Sequence, residues 1–75
     1  MNIGHRIRQV REAAGYRNGA AFSRKLGINP KTLWRYESDR SVPGLVNAVR
    51  IAEQCGITVE QLLYGFPETY TDLGN

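Results

Sequence analysis

The chain has 75 residues, 41% of them hydrophobic, with ten Lys/Arg, seven Asp/Glu and one cysteine. A chain this short buries only about 60% of its unfolded surface, which allows one domain with a small core and no second functional one. One cysteine excludes an internal disulfide framework, no Cys/His cluster has zinc-ligand spacing, and nothing approaches ~20 consecutive apolar residues, so a soluble, non-exported protein of a reducing cytoplasm with no membrane partner is expected.

Along the chain the apolar residues repeat with helical rather than strand spacing. From Asn2 to Ala14, Ile3, Ile7, Val10 and Ala14 fall on one face and Gly15 supplies a stop. Where a signal peptide would need an unbroken apolar run, Ile3-Gly4-His5-Arg6 interrupts it. Asn18 caps a second helix through Ala20, Ala21, Phe22 and Leu26, which Gly27 ends. After Ile28 a third helix opens on Asn29, with Pro30 at the first position, where a missing N–H costs nothing. A helix ending in Gly, followed within two residues by a new cap, predicts the sharp turn of a helix-turn-helix unit.

The third helix carries the chemistry. Leu33 and Tyr36 can face inward together, which turns Lys31, Trp34 and Arg35 outward. Cation, aromatic and cation on one exposed face suit base edges and phosphates, although a solvated helix with ordinary surface charges has the same pattern. Ser38-Asp39 breaks this helix and Pro43-Gly44 marks the next entry. Leu45, Ala48, Val49, Ala52 and Cys55 form the stripe of a fourth helix ended by Gly56. Thr58 with Gln61 is a capping box for a fifth, which turns Val59, Leu62 and Leu63 inward before Gly65. The expected fold is therefore all-α, a compact five-helix bundle spanning residues 1–65. A tail over 66–75, extended or partly disordered, follows it, in which Phe66, Tyr70 and Leu73 can pack locally.

Charge is unevenly placed: nine of the ten Lys/Arg but only three of the seven acids lie in residues 1–40. A basic front half and an acidic back half suggest one surface for a polyanion and another turned away from it, against the alternative of a chance dipole.

With these elements in order, the chain resembles the DNA-binding domains of the lambdoid phage repressor and Cro family, the XRE-type helix-turn-helix. The resemblance covers nearly residues 2–65. It rests on Ile7-Arg8 with Arg11 and Gly15, Leu26-Gly27-Ile28, and Thr32-Leu33-Trp34-Arg35-Tyr36-Glu37. Arg40, Pro43, Arg50-Ile51-Ala52-Glu53, Gly56-Ile57 and Leu62-Leu63-Tyr64-Gly65 complete it. It implies a lambda-repressor-like bundle whose third helix lies in the DNA major groove while the second crosses above. Two positions depart from the family pattern. Asn18-Gly19 stands where the family has a Ser/Thr cap followed by a phosphate-binding Gln, so only backbone N–H groups remain there for a phosphate. Asp39 stands where the family commonly has Gly at positive φ, a conformation Asp tolerates better than most residues.

Lys31 and Arg35 sit on the face that the family presents to DNA and are candidate base contacts, Arg being able to fork onto guanine while Lys offers a point charge; Trp34 is a third candidate, lying against a thymine methyl or sugar edge or simply covering the second helix. Arg17, Asn18, Gly19, Arg24, Thr32 and Arg40 are the candidates for DNA backbone contacts. Arg11 and Glu37 are implied as a structural ion pair, which takes Arg11 off the DNA-contact list. Cys55 is expected as a small core residue. His5 has no second ligand or nucleophile near it, so no metal site, catalytic residue or cofactor is expected.

These features favour a sequence-specific regulator, of phage or other prokaryotic type, that binds a palindromic double-stranded DNA operator as a homodimer. The acidic half, with Val59, Tyr64, Phe66 and Tyr70, would supply the dimer contacts. Two alternatives share the fold: an antitoxin with a toxin partner, and a protein-interaction module that has lost DNA binding. No paired carboxylates, nucleophile–base set or phosphate-cradling loop points to an enzyme.

Overall fold

A computed structural model describes residues 3–65, which form five helices: α1 (Ile3–Ala13), α2 (Gly19–Leu26), α3 (Pro30–Glu37), α4 (Leu45–Cys55) and α5 (Val59–Tyr64). No strand occurs among the described residues. Asn2, expected at the start of the first helix, and the tail from Phe66 to Asn75 lie outside them.

Helix entries follow the capping residues. Asn18 Oδ1 accepts from the Ala21 N–H at 2.9 Å, and Asn29 Oδ1 from the Lys31 N–H at 2.7 Å. The Thr58 hydroxyl accepts from the Gln61 N–H at 3.0 Å, while Gln61 Oε1 accepts from the Thr58 N–H at 3.0 Å. Each such cap contributes ~1 kcal/mol by satisfying donors the helix cannot.

The exits of the first four helices share one geometry. At Gly15, Gly27 and Gly56 the backbone takes φ of 96°, 76° and 70°. The N–H of the next residue then reaches back to a carbonyl of the last turn: Tyr16 to Arg11 at 3.1 Å, Ile28 to Ser23 at 3.0 Å, Ile57 to Ala52 at 3.0 Å. This is the Schellman arrangement, and Tyr16, Ile28 and Ile57 pack against the core as its apolar partners. The exit of α3 repeats it without glycine: Asp39 takes φ of 59° and the Arg40 N–H donates to the Arg35 carbonyl at 2.8 Å.

Ile7, Val10, Phe22, Leu26, Leu33, Tyr36, Ala48, Ile51 and Leu62 form one buried cluster drawn from all five helices. Helix α1 packs against α3, α4 and α5, helix α2 against α3 and α4, and α4 against α5. The recognition candidate α3 is thus held from two sides. Polar tips of core aromatics tie the bundle further: Asn47 Nδ2 donates to the Tyr36 hydroxyl at 2.8 Å, and Gln54 Nε2 to the Tyr16 hydroxyl at 3.0 Å.

Several inward assignments need correction. Ala14 is exposed because α1 has already ended at Ala13. In α4 the buried residues are Ala48, Ile51 and Ala52, whereas Leu45 is 75% exposed and Val49 only half-buried. Ile51 lies about 60° from Ala48 on one side and Val49 about 100° on the other, so the buried face is rotated toward Ile51. Leu45 sits on the side rotated out. In α5 only Leu62 is fully buried; Val59 and Leu63 are intermediate.

Candidate nucleic-acid interface

Two buried side chains set the orientation of α3. Leu33 is 1% and Tyr36 6% exposed, and burying them turns Pro30, Lys31, Trp34 and Arg35 to solvent on the opposite side. Lys31 and Arg35 are one turn apart, with Trp34 next to them. Thr32 is half-buried at the edge of this face.

A buried ion pair fixes the far end of the helix. Arg11 Nε donates to Glu37 Oε2 at 2.8 Å and Nη2 to Oε1 at 3.2 Å, while Nη1 donates to the Tyr16 carbonyl at 2.8 Å. The two side chains are 5% and 14% exposed. A forked contact with so little water strongly restricts how α3 can rotate on α1, and removing one partner would strand a charge at a cost of ~3–5 kcal/mol. Arg11, basic and in the same half as the surface cations, is therefore unavailable to an external polyanion.

The second acid near this face is also engaged internally. Asp39 Oδ1 accepts from the Gly4 N–H in the first turn of α1 at 3.0 Å, where a carboxylate also meets the positive end of the helix dipole. With Glu37 and Asp39 both turned to α1, the α3 surface keeps Lys31, Arg35 and Arg40 as exposed cations. Arg8 adds a fourth: it lines a cleft of about 180 Å³ with Trp34, Glu37 and Ser38. The sequence signal for it is its position one turn before Arg11 on α1. Its ion pair with Glu12, at 3.8 Å and largely exposed, is worth little in water.

The start of α2 lies against α3. A Cβ at Gly19 would stand 3.4 Å from Leu33 Cδ2, so the α2 N-terminus and the preceding exposed Arg17 and Asn18 flank the recognition candidate. The Asn18 side chain takes up the Ala21 N–H, which removes that donor from the set available to a phosphate. Arg24 lies at the other end of α2. It is exposed in the last turn of α2 beside Lys25, about 7.5 Å along the axis from Gly19 at 1.5 Å per residue.

Trp34 and Arg40 are brought together directly: Arg40 Cζ lies 5.2 Å from the centroid of the Trp34 ring. Val42, in the loop before α4, and Leu45 and Val46, in its first turn, are 73%, 75% and 65% exposed. A cleft of about 270 Å³ between α2 and α4, lined by Lys25, Leu26, Arg50, Glu53 and Gln54, lies apart from these groups.

Among the described residues no group of three or more His, Cys, Asp or Glu is placed to hold a metal ion, and no helix is long and apolar enough to cross a membrane. Cys55 is half-buried against the core, and burial pushes its thiol up from the ordinary range.

A family model described as a helix-turn-helix domain matches residues 4–67. Neither the curated proteins nor the solved structures give a match.

Proposed function

The chain belongs to this helix-turn-helix domain family, and on that premise we propose that it is a cytoplasmic, sequence-specific regulator of transcription that binds double-stranded DNA. The observation that carries the reading is the α3 surface, where Lys31, Trp34, Arg35 and Arg40 are exposed while the adjacent acids are engaged by α1. Lys31, in the first turn of α3, and Arg35, one turn later on the same exposed face, are the base readers. Arg17, Gly19, Thr32 and Arg40 border that face and serve the phosphates, with Asn18 contributing through its remaining side-chain donor. Arg24, at the other end of α2, is the weakest member of the set.

A single domain of this size reads few base pairs, so the proposed active form is a homodimer on a pseudo-palindromic operator with half-sites about 34 Å apart. It would act as a repressor of the phage or Cro type by occupying a promoter. Tyr64 is 64% exposed and Val59 half-exposed, which supports α5 as part of the dimer contact; Phe66 and Tyr70, also expected there, lie outside the described residues. Selection of bound sites from random duplex DNA followed by footprinting tests the reading. A two-fold-symmetric motif is expected; salt-sensitive binding with no motif would overturn sequence specificity.

A second reading, an antitoxin that binds a toxin partner as well as DNA, draws support from Val42, Leu45 and Val46, three large apolar side chains left mostly exposed around the entry of α4. Loss of partner capture on Leu45→Glu, with DNA binding intact, would distinguish it from the simple regulator.

A further inference from the structure

The Trp34–Arg40 contact follows from how α3 ends. In the Schellman arrangement the residue after the positive-φ position commonly packs on a side chain of the last helical turn. At the other three such exits that residue is Tyr16, Ile28 or Ile57, turned toward the core. At the exit of α3 it is Arg40, and the side chain it meets is Trp34, which is 55% exposed. The backbone turn that normally closes an apolar contact here closes a cation on an indole, at the surface beside Lys31 and Arg35.

A guanidinium held over an aromatic face by cation–π attraction keeps the N–H donors that point away from the ring, and these can fork onto phosphate oxygens. Arg40 stands beyond the C-terminal end of α3, whereas a recognition helix offers its N-terminal residues to base edges. Its position therefore suits the DNA backbone. We infer that Trp34 is a positioning residue: its indole holds the Arg40 guanidinium ready for a phosphate, and Trp34 does not itself read a base. This inference rests on the DNA-binding reading and gives Trp34 a different role from the base contact its place on α3 suggests.

Binding of the full chain to a duplex carrying its selected site and to random duplex, across a range of salt, tests it. Wild type is compared with Trp34→Ala, Trp34→Phe, Arg40→Ala and the Trp34→Ala/Arg40→Ala double variant. Trp34→Ala is expected to weaken both duplexes by the same factor, about three- to tenfold. Trp34→Phe should recover most of that loss, and in the Arg40→Ala background Trp34→Ala should cost nothing further. Arg40→Ala should lower the salt slope by ~0.9 for each phosphate no longer neutralised. In the free protein the Arg40 side-chain proton resonances should lie upfield under the indole ring current and return on Trp34→Phe only in part.

A Trp34→Ala loss that persists undiminished without Arg40, or that falls on the selected site alone, would overturn the inference and make Trp34 a base contact. Should the alanine variant unfold, the phenylalanine variant and the ring-current shifts decide the same point. If wild type shows no salt-dependent binding to either duplex, the DNA-binding reading fails and the Arg40 role fails with it, a result distinct from additivity with wild-type binding intact.

Discussion

Gly4 of α1 and Asp39 at the exit of α3 meet backbone to side chain, with the Gly4 N–H donating to Asp39 Oδ1 at 3.0 Å. The approach leaves no space for a side chain: a Cβ on Gly4 would stand 2.5 Å from the Tyr36 carbonyl oxygen and 2.7 Å from that of Glu37. The end of α3 therefore rests on the bare backbone of α1, one turn from Ile7 in the core.

Gly4→Ala poses helix propensity against this contact. Propensity alone would favour alanine by ~1 kcal/mol. The obstructing atoms are backbone carbonyls that cannot rotate away, so overpacking should win, with a net loss of about 1–3 kcal/mol. The midpoint of denaturant unfolding measures it; a more stable Ala variant would show that α1 and α3 stand further apart.

Asp39 serves two roles that substitutions separate. Asparagine keeps both an acceptor and tolerance of positive φ, so Asp39→Asn should cost less than about 1 kcal/mol. Asp39→Ala loses both and should cost ~2 kcal/mol, with Asp39→Gly in between because it relieves the backbone but removes the acceptor. The order of the three melting temperatures is the measurement, and equal values for Asn and Ala would contradict it.

Arg11→Met leaves Glu37 without its partner in a nearly dry site and should destabilise by ~3–5 kcal/mol. The double variant Arg11→Met/Glu37→Leu removes both charges and should recover much of that loss. Denaturant melts of the two single variants and the double one give the coupling energy. A coupling near zero, with weaker DNA binding by a normally folded Arg11→Met protein, would return Arg11 to the surface.

Arg35→Ala should lose ~1–3 kcal/mol on the selected site and relax base preference at one position in each half-site. Equal losses on selected and random DNA would mark Arg35 as a phosphate contact instead.

Burial raises the Cys55 thiol, so the folded state favours its neutral form. Its contribution to stability is intact below the unfolded thiol's pKa of about 8.5 and is lost as pH rises through the higher folded value. Alkylation by iodoacetamide near neutral pH should be at least about tenfold slower in the native protein than in denaturant. Comparable rates would place the thiol at the surface.

Local rules determine much of this protein without reference to any tertiary contact. Asn18, Asn29 and Thr58 start helices because their side-chain oxygens sit within reach of N–H groups two or three residues on. Gly15, Gly27 and Gly56 end them because the required positive φ costs glycine nothing. The outward placement of Lys31, Trp34 and Arg35 follows from 3.6-residue periodicity once Leu33 and Tyr36 are inside. What periodicity cannot supply is how far a neighbouring helix reaches or how the stripe is rotated toward it, which is why Leu45 is exposed and Ile51 buried. Nor can it supply contacts between distant segments. Gly4 against the carbonyls of α3, Asp39 capping α1, and Arg40 lying over Trp34 depend on helix crossing and on the path of a turn, and those are set only when the whole core packs.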